Sequence, residues 1–260
     1  WEPTYDMQMS TIFMPCNDSG FFDAKFAAQF GIADFDWSNA KQLWANTKPM
    51  TCEELLVEQV SRVKAINPKT KVFVYRNLVK ALPWFTNVRS KITDKAYEGF
   101  FLKFSGKNNY HVPQCDSNYN PPLCTEFYHD QLQTPQHPHG DGSCTDPCDC
   151  GGVPCGEYLW DHRNTTLTDY LINHVILGKT GLGNPQISGF YLDDHWTDAP
   201  SDNPHHRCDH FTYGGATEED YYCVLDMGLD QKDVTDIYTN WQSNIAKVHD
   251  AIAANNGWSW

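Results

Sequence analysis

The sequence predicts an α/β fold of the (β/α)8, TIM-barrel-like kind, on three observations. Short β-rich runs alternate with amphipathic helical patterns, the rhythm of parallel strand-helix units rather than of a sandwich. The 260 residues match the roughly 250 of one such barrel. Two long irregular stretches follow strand candidates and precede helices, which on a parallel barrel puts both at the C-terminal face, where such folds build their sites.

The runs Thr11 to Met14 and Gly31 to Phe35 read as the first two strands. A helix follows with Thr51 as N-cap and Glu54 completing a capping box, and with Leu55, Leu56, Val60, Val63 and Ile66 along one face. Asn67-Pro68 stops it. Lys71 to Asn77 is a buried strand, Val79 to Ile92 a helix that tolerates Pro83 in its first turn, and Gly99 to Phe104 a further strand. From about residue 105 to 155 no period survives, and seven prolines and six cysteines crowd the segment. A loop of that length in a compact domain is usually functional. Regular pattern resumes with a strand over Glu157 to Asp161, a helix from about Thr166 to Leu177 and a strand over Ile187 to Asp193. A second irregular segment covers residues 197–228. The last helix runs from about Gln231 to Ala254, with Asp230 as N-cap, Gly257 as terminator, and Val234, Ile237, Tyr238, Trp241, Ile245, Val248 and Ile252 at helical spacing. Gly257 to Trp260 is where another strand ought to begin. Six full strand candidates precede it, so an eight-stranded barrel lacks its end here or the fold is reduced. The whole of 1–260 is read as one barrel-like domain with insertions at about 105–155 and 197–228.

Composition narrows the function. Hydrophobic residues are 40% and aromatics 14%, enough for a core, so disorder is excluded. A net charge of −14 repels a phosphate backbone and an anionic membrane surface. No apolar run approaches the roughly 20 residues that span a bilayer, and the start at Trp1 without a basic and apolar leader reads as a mature, soluble product. Neither nucleic acid nor membrane insertion is expected. The ten cysteines (Cys16, Cys52, Cys115, Cys124, Cys144, Cys148, Cys150, Cys155, Cys208 and Cys223) are an even number. Four of them fall between positions 144 and 155 without paired C-x2-C knuckles, which favours disulfides over a zinc knot. Asn17 and Asn164 sit in N-glycosylation sequons. Together these place the protein outside the cell or in the cell wall.

Two strand candidates end in acids, Asp161 and the pair Asp193 and Asp194. Asp161 and Asp193 are 32 residues apart, about one strand-helix-strand unit, so a right-handed crossover puts them on neighbouring parallel strands. Carboxyls pointing into one cavity from strands about 4.8 Å apart lie within roughly 5 to 9 Å, the separation of a glycosidase pair. Alternation places Gly189, Tyr191 and Asp193 on one face and Phe190, Leu192 and Asp194 on the other. The competing reading is that these acids cap loops or pair with Arg76, Arg163 or Arg207. Asp34 and Asp36 end another strand and suit a sugar hydroxyl, and Tyr75, Asn77 and Lys103 are donors at further strand ends. Trp160 and Trp196 are candidate sugar platforms, as Trp37 and Trp84 are more weakly, and Arg163, His195 and Tyr191 are candidate neighbours of a substrate. His129, His137 and His139 with Asp141, or His205, His206 and His210 with Asp209, offer a metal reading, but no ordered zinc motif occurs. No nucleophile elbow, phosphate loop or dinucleotide fingerprint is present, so neither cofactor nor metal is expected.

The strand Ile187-Ser-Gly-Phe-Tyr-Leu-Asp-Asp194 and the run Tyr158-Leu-Trp-Asp161 resemble the (β/α)8 glycoside hydrolases, in particular the broad α-galactosidase-like group that carries a catalytic aspartate at the end of the fourth strand. The resemblance implies Asp193 as nucleophile and a second carboxylate, the acid/base, on a later strand, with positions beyond Trp260 open to it. The leading expectation is a secreted glycoside hydrolase acting on an extracellular or cell-wall polysaccharide through Asp193 and Asp161, with Asp194 beside them. The alternative is a non-catalytic barrel that binds glycan or builds an extracellular assembly.

Overall fold

The computed structural model describes residues 7–14, 20–103, 115–116, 123–124, 126–128, 150–153, 157–196 and 229–260. The chain forms two compact units, one of residues 1–76, 170–192 and 248–260, the other of 77–169 and 193–247.

The first unit is built on a parallel sheet. Its strands are β1 (Thr11–Met14), β2 (Ile32–Phe35), β3 (Lys71–Asn77), β9 (Gly189–Asp193) and β10 (Trp258–Ser259), in the spatial order β1-β2-β3-β9-β10. Phe13, Asp34 and Phe73 stand opposite one another in register, so their side chains share a face. The rings of Phe13 and Tyr191 lie 5.2 Å apart. Their strands are three positions apart, about 14 Å across a flat sheet, and two side chains do not close that gap unless the sheet curves. The concave face therefore carries Phe13, Asp34, Phe73, Tyr75 and Tyr191, and the sheet has the curvature of a barrel wall. Ala33, Phe35, Val72, Val74 and Phe190 occupy the opposite face and are fully buried. Gly189 is required by close approach: a Cβ there would lie 2.3 Å from Trp258 O and 3.0 Å from the Phe73 ring.

Between β1 and β2 runs α1 (Ala24–Ala27), and between β2 and β3 run α2 (Lys41–Ala45) and α3 (Cys52–Ile66), with α3 packed on the other two. The α3 stripe of Leu56, Val60 and Val63 is buried as its periodicity predicts. The capping box is not formed: Thr51 makes no side-chain cap bond. Glu53 is buried instead and takes up Arg76 at 3.7 Å, so the guanidinium that was a candidate partner for the strand-end acids belongs to the helix-side packing.

The second unit corrects three sequence expectations. The predicted helix over 79–92 begins only at α4 (Thr86–Ile92), because β4 (Lys80–Ala81) pairs antiparallel with β8 (Glu157–Leu159). β8 pairs antiparallel on its other side with β7 (Glu126–Tyr128). The strand that leads to Asp161 is thus not a parallel neighbour of β9 but the centre of a separate three-stranded sheet. Gly99 to Phe104 is not a strand either: Lys95–Phe100 is a 3-10 helix capped by Asp94, and Phe101 alone bridges Trp160. Within the stretch read as irregular, β5 (Cys115–Asp116) and β6 (Leu123–Cys124) form an antiparallel pair with Cys115 opposite Cys124.

α5 (Leu167–Tyr170) runs into a π-helical turn, Leu171–Ile176. The last helix, α6 (Gln231–Ala254), matches its predicted limits. Asp230 Oδ1 accepts the Asp233 N–H at 2.8 Å and Asp233 Oδ2 accepts the Asp230 N–H at 3.2 Å, a reciprocal capping box. At the other end Asn256, with φ 57, takes the left-handed position of a Schellman motif. Its N–H donates to Ala253 O and that of Gly257 to Ile252 O. The terminator is Asn256 rather than Gly257. Among the described residues no helix is long and apolar enough to cross a membrane.

Candidate active site

The C-terminal ends of the parallel strands are where the acids lie. Asp34 is fully buried on β2. Neither carboxyl oxygen has a hydrogen-bond partner in ordinary geometry. Burial raises its pKa to about 7, the Asp36 carboxylate adds to the rise, and the Phe35 N–H offsets only part of it. Asp34 is therefore largely protonated at mildly acidic pH. Asp36, two residues on, is half-buried and is held by Ser38, whose N–H donates at 2.9 Å and whose hydroxyl donates to the same oxygen. Tyr75 is buried on the same concave face, its ring 6.0 Å from that of Tyr191. Tyr191 is half-buried and in edge contact with both Phe13 and Trp260, at 5.2 and 6.2 Å. Phe13 and Trp260 are 37% and 55% exposed, so this three-ring surface reaches solvent.

β9 ends at Asp193, half-buried, and by strand alternation on the face of Gly189 and Tyr191. Asp194 follows in the left-handed region, φ 60. Its Oδ2 accepts from Asn77 Nδ2 at 2.6 Å and lies 3.8 Å from Lys80 Nζ. Asn77, read from sequence as a substrate donor, is buried and spends its amide on this contact and on the backbone. His195 is exposed.

Asp161 is in a different setting. Arg163 grips it as a fork, Nε to Oδ1 at 2.9 Å and Nη2 to Oδ2 at 2.8 Å, while Arg163 Nη1 reaches Asp233. Donating to the Asp161 carboxylate raises the pKa of the Arg163 guanidinium. His162 is buried next to it. Leu78 O, an acceptor only, lies 2.6 Å from Nε2, which fixes the proton there and leaves Nδ1 to accept from Asn244 at 3.3 Å. Burial holds the His162 pKa down at about 4, so this ring is a neutral core residue.

The placements redraw the predicted site. Asp161 and Asp193 do not end adjacent parallel strands, and Asp161 with Arg163 forms the ion pair that was the competing reading. A strand of three residues carries no sequence mark of parallel or antiparallel pairing, which is why the spacing misled. Trp160 is 1% exposed and stacks on Phe101 at 5.2 Å, and Trp196 is 4% exposed, so neither presents a face to a sugar in this conformation. Trp84 is buried as well. Trp37 is half-buried, with Lys41 over its ring. Lys103 pairs with Glu98. Asn164, the second sequon, donates its side-chain nitrogen to Gly99 O at 2.8 Å, a contact that a glycan on that atom has to displace. Cys52 is a buried free thiol, not half of a disulfide. Cys150 is disulfide-bonded. Asn17, Cys16, Cys144, Cys148, Cys155, Cys208, Cys223, Arg207 and both histidine groups lie outside the described residues. Among the described residues no cluster of three or more His, Cys, Asp or Glu suits a metal ion. Sequence reasoning missed Lys80, whose partner is 114 positions away, and gave Asp34 no special state, although its place between Ala33 and Phe35 in a short apolar strand was the available signal.

No family model and no curated protein sequence matches this chain. Among solved structures it is similar to an alpha-glucosyl transfer enzyme, XgtA, with a TM-score of 0.50 and 8% identity over 99% of this chain and 50% of that one. A trehalose-6-phosphate hydrolase of Bacillus licheniformis aligns over 99% of this chain and 44% of its own, with a TM-score of 0.39 and 10% identity. At such identity the first likeness is one of fold. This chain spans about half the length of the solved structures it resembles.

Proposed function

We propose that the protein is a glycoside-active enzyme that works on an extracellular or cell-wall glycan, with Asp193 as its reacting carboxylate. The observation that carries this reading is positional: in the spatial order of the curved parallel sheet β9 is the fourth strand, and its last residue is Asp193. Active sites of barrel folds collect at the C-terminal strand ends. A carboxylate there, two residues after Tyr191 along the same strand, is the equipment for attack on an anomeric carbon or for activating water. The fold shared with an alpha-glucosyl transfer enzyme supports the same class. The acid that protonates the leaving oxygen is not Asp161, which Arg163 grips through both carboxyl oxygens and which ends no strand of the parallel sheet.

The engagement of Asp161 and Asp194 by cations favours one second reading, a barrel that binds glycan without cleaving it. Both are tested on the purified full chain with a panel of soluble and insoluble polysaccharides, following reducing-end release and binding together. The enzyme reading expects release by the wild type and a loss of roughly 10³-fold or more in Asp193→Asn, the scale on which removal of a catalytic group registers. Binding without release in both proteins selects the second reading. Undiminished turnover in Asp193→Asn removes Asp193 from the chemistry.

A further inference from the structure

Asp193 sits between two fixed points. On its N-terminal side the Leu192 N–H donates to Trp260 O at 2.9 Å. On its C-terminal side Asp194 adopts φ 60, a conformation that glycine, asparagine and aspartate reach more readily than other residues. What holds it there is a network of buried polar groups. Asp194 Oδ2 accepts from Asn77 Nδ2 at 2.6 Å and faces Lys80 Nζ at 3.8 Å. Asn77 Oδ1 in turn accepts the backbone N–H groups of Val79 at 2.9 Å and Lys80 at 2.6 Å, so its amide cannot turn over without breaking three hydrogen bonds. Asn77 and Lys80 are 6% and 5% exposed, and the Asp194 side chain is 12% exposed. At that depth the network is shielded from water and salt.

We propose that Asn77, Lys80 and Asp194 form a positioning clamp that holds Asp193 in the orientation its reaction requires, an inference that rests on the glycoside-active reading. The last residue of β3 and the first residue after β9 are tied together, so the fourth strand cannot twist or slip at its end without losing the clamp. The residue between the two anchors is the proposed reacting acid, so its backbone is fixed from both sides. This makes Asp194 and Asn77, both first read as members of the substrate site, positioning residues, and it adds Lys80, which no sequence pattern indicates. Catalytic groups need this kind of restraint, because a displacement of about 1 Å costs about 10²-fold in rate.

Two substitutions of one residue separate positioning from charge and from fold. Asp194→Asn and Asp194→Gly both remove the negative charge and both tolerate a positive φ, but only asparagine keeps an acceptor for Asn77 Nδ2. On the full chain, kcat and KM are measured with the best polysaccharide of the panel, and the Asp193 side-chain carboxyl is followed by 13C NMR through a pH titration. The clamp predicts that Asp194→Gly loses about 10²-fold in kcat with KM held and a lowered melting temperature, and that Asp194→Asn, which removes the same charge, restores most of the loss in kcat. Asn77→Ser, which shortens the reach to Asp194, is expected to reproduce the glycine result and serves if the glycine variant does not fold. Equal kcat in the asparagine and glycine variants overturns the clamp. If the wild type cleaves no glycan, the functional reading falls, and the titration decides the clamp by itself. Superimposable Asp193 curves in the two variants refute it, and distinct curves sustain it.

Discussion

Burying the Asp34 carboxyl between Phe13 and Phe73 with neither oxygen partnered in ordinary hydrogen-bond geometry works against folding whenever the group is charged, and the consequence is a pH dependence that belongs to one residue. Its folded pKa of about 7 lies above the roughly 3.9 of an unfolded aspartate. Between those values the unfolded chain holds fewer protons than the folded one, so stability falls as pH rises from about 4 to about 7 and is level above that. The full penalty is of the order of 4 kcal/mol. Asp34→Asn is expected to flatten this part of a urea-midpoint profile against pH, and an unchanged slope would show that the ionisation resides elsewhere. His162 acts in the opposite sense. Its folded pKa of about 4 lies below the unfolded 6.5, so its contribution is lost as pH falls through that range, and the Asp34 slope is best read against an otherwise identical background. At this scale the sequence displayed the residues but not their states. That Asp193 shares a face with Gly189 and Tyr191 was legible from alternation, because a strand has a period of two. That Asp161 is spent on Arg163 was not, because nothing in Trp160-Asp161-His162-Arg163 distinguishes a bent-back ion pair from an acid aimed into a cleft.

Elements were legible where one local rule dominates. β1, β3 and α6 lie at their predicted limits because continuous β-branched and aromatic runs, or an unbroken 3.6-residue stripe closed by capping residues, need no distant partner to be recognised. Where a long-range contact competes, the expectation failed. Residues 79–85 have helical composition, but Lys80 and Ala81 find β8, and Asn77 takes the backbone N–H groups that a first helical turn would leave open. The C-terminus of α6 offers a direct measure of local control. Asn256 pays for a left-handed conformation that glycine takes without strain. Asn256→Gly should be neutral or stabilise, whereas Asn256→Ala should destabilise by about 1 kcal/mol, both read from thermal unfolding. An alanine variant as stable as the wild type would mean that the end of α6 is held by the Gly257 N–H bond to Ile252 O instead.

At the scale of the whole molecule the cysteines give the clearest test. Cys52 donates to Trp37 O at 3.0 Å and is fully buried, and burial pushes its thiol pKa well up, so it is both unoxidised and unreactive in the native protein. We expect four disulfides among the other nine cysteines, which leaves two thiols of ten. Alkylation without reduction should therefore label two thiols in denaturant and fail to label Cys52 in the native state, as counted by intact-mass measurement. Three or more thiols would remove the oxidised framework and with it the argument for an extracellular setting. Sequence by itself determined the local facts: the α/β rhythm, the strands that end in Asn77 and Asp193, the last helix and its N-cap, and an acid at the end of a strand with a tyrosine two residues before it. Each of these depends on residues within a few positions of one another, through steric preference and the periodicity of burial. Tertiary structure alone decided which strands are neighbours, that β9 stands fourth in the sheet, that Asp161 belongs to an antiparallel sheet, and that Asp194 is clamped by Asn77 and Lys80. Those outcomes turn on pairings between residues up to 117 positions apart, where the gain comes from burying and hydrogen-bonding groups against each other, and a short strand carries no mark of the partner it will find.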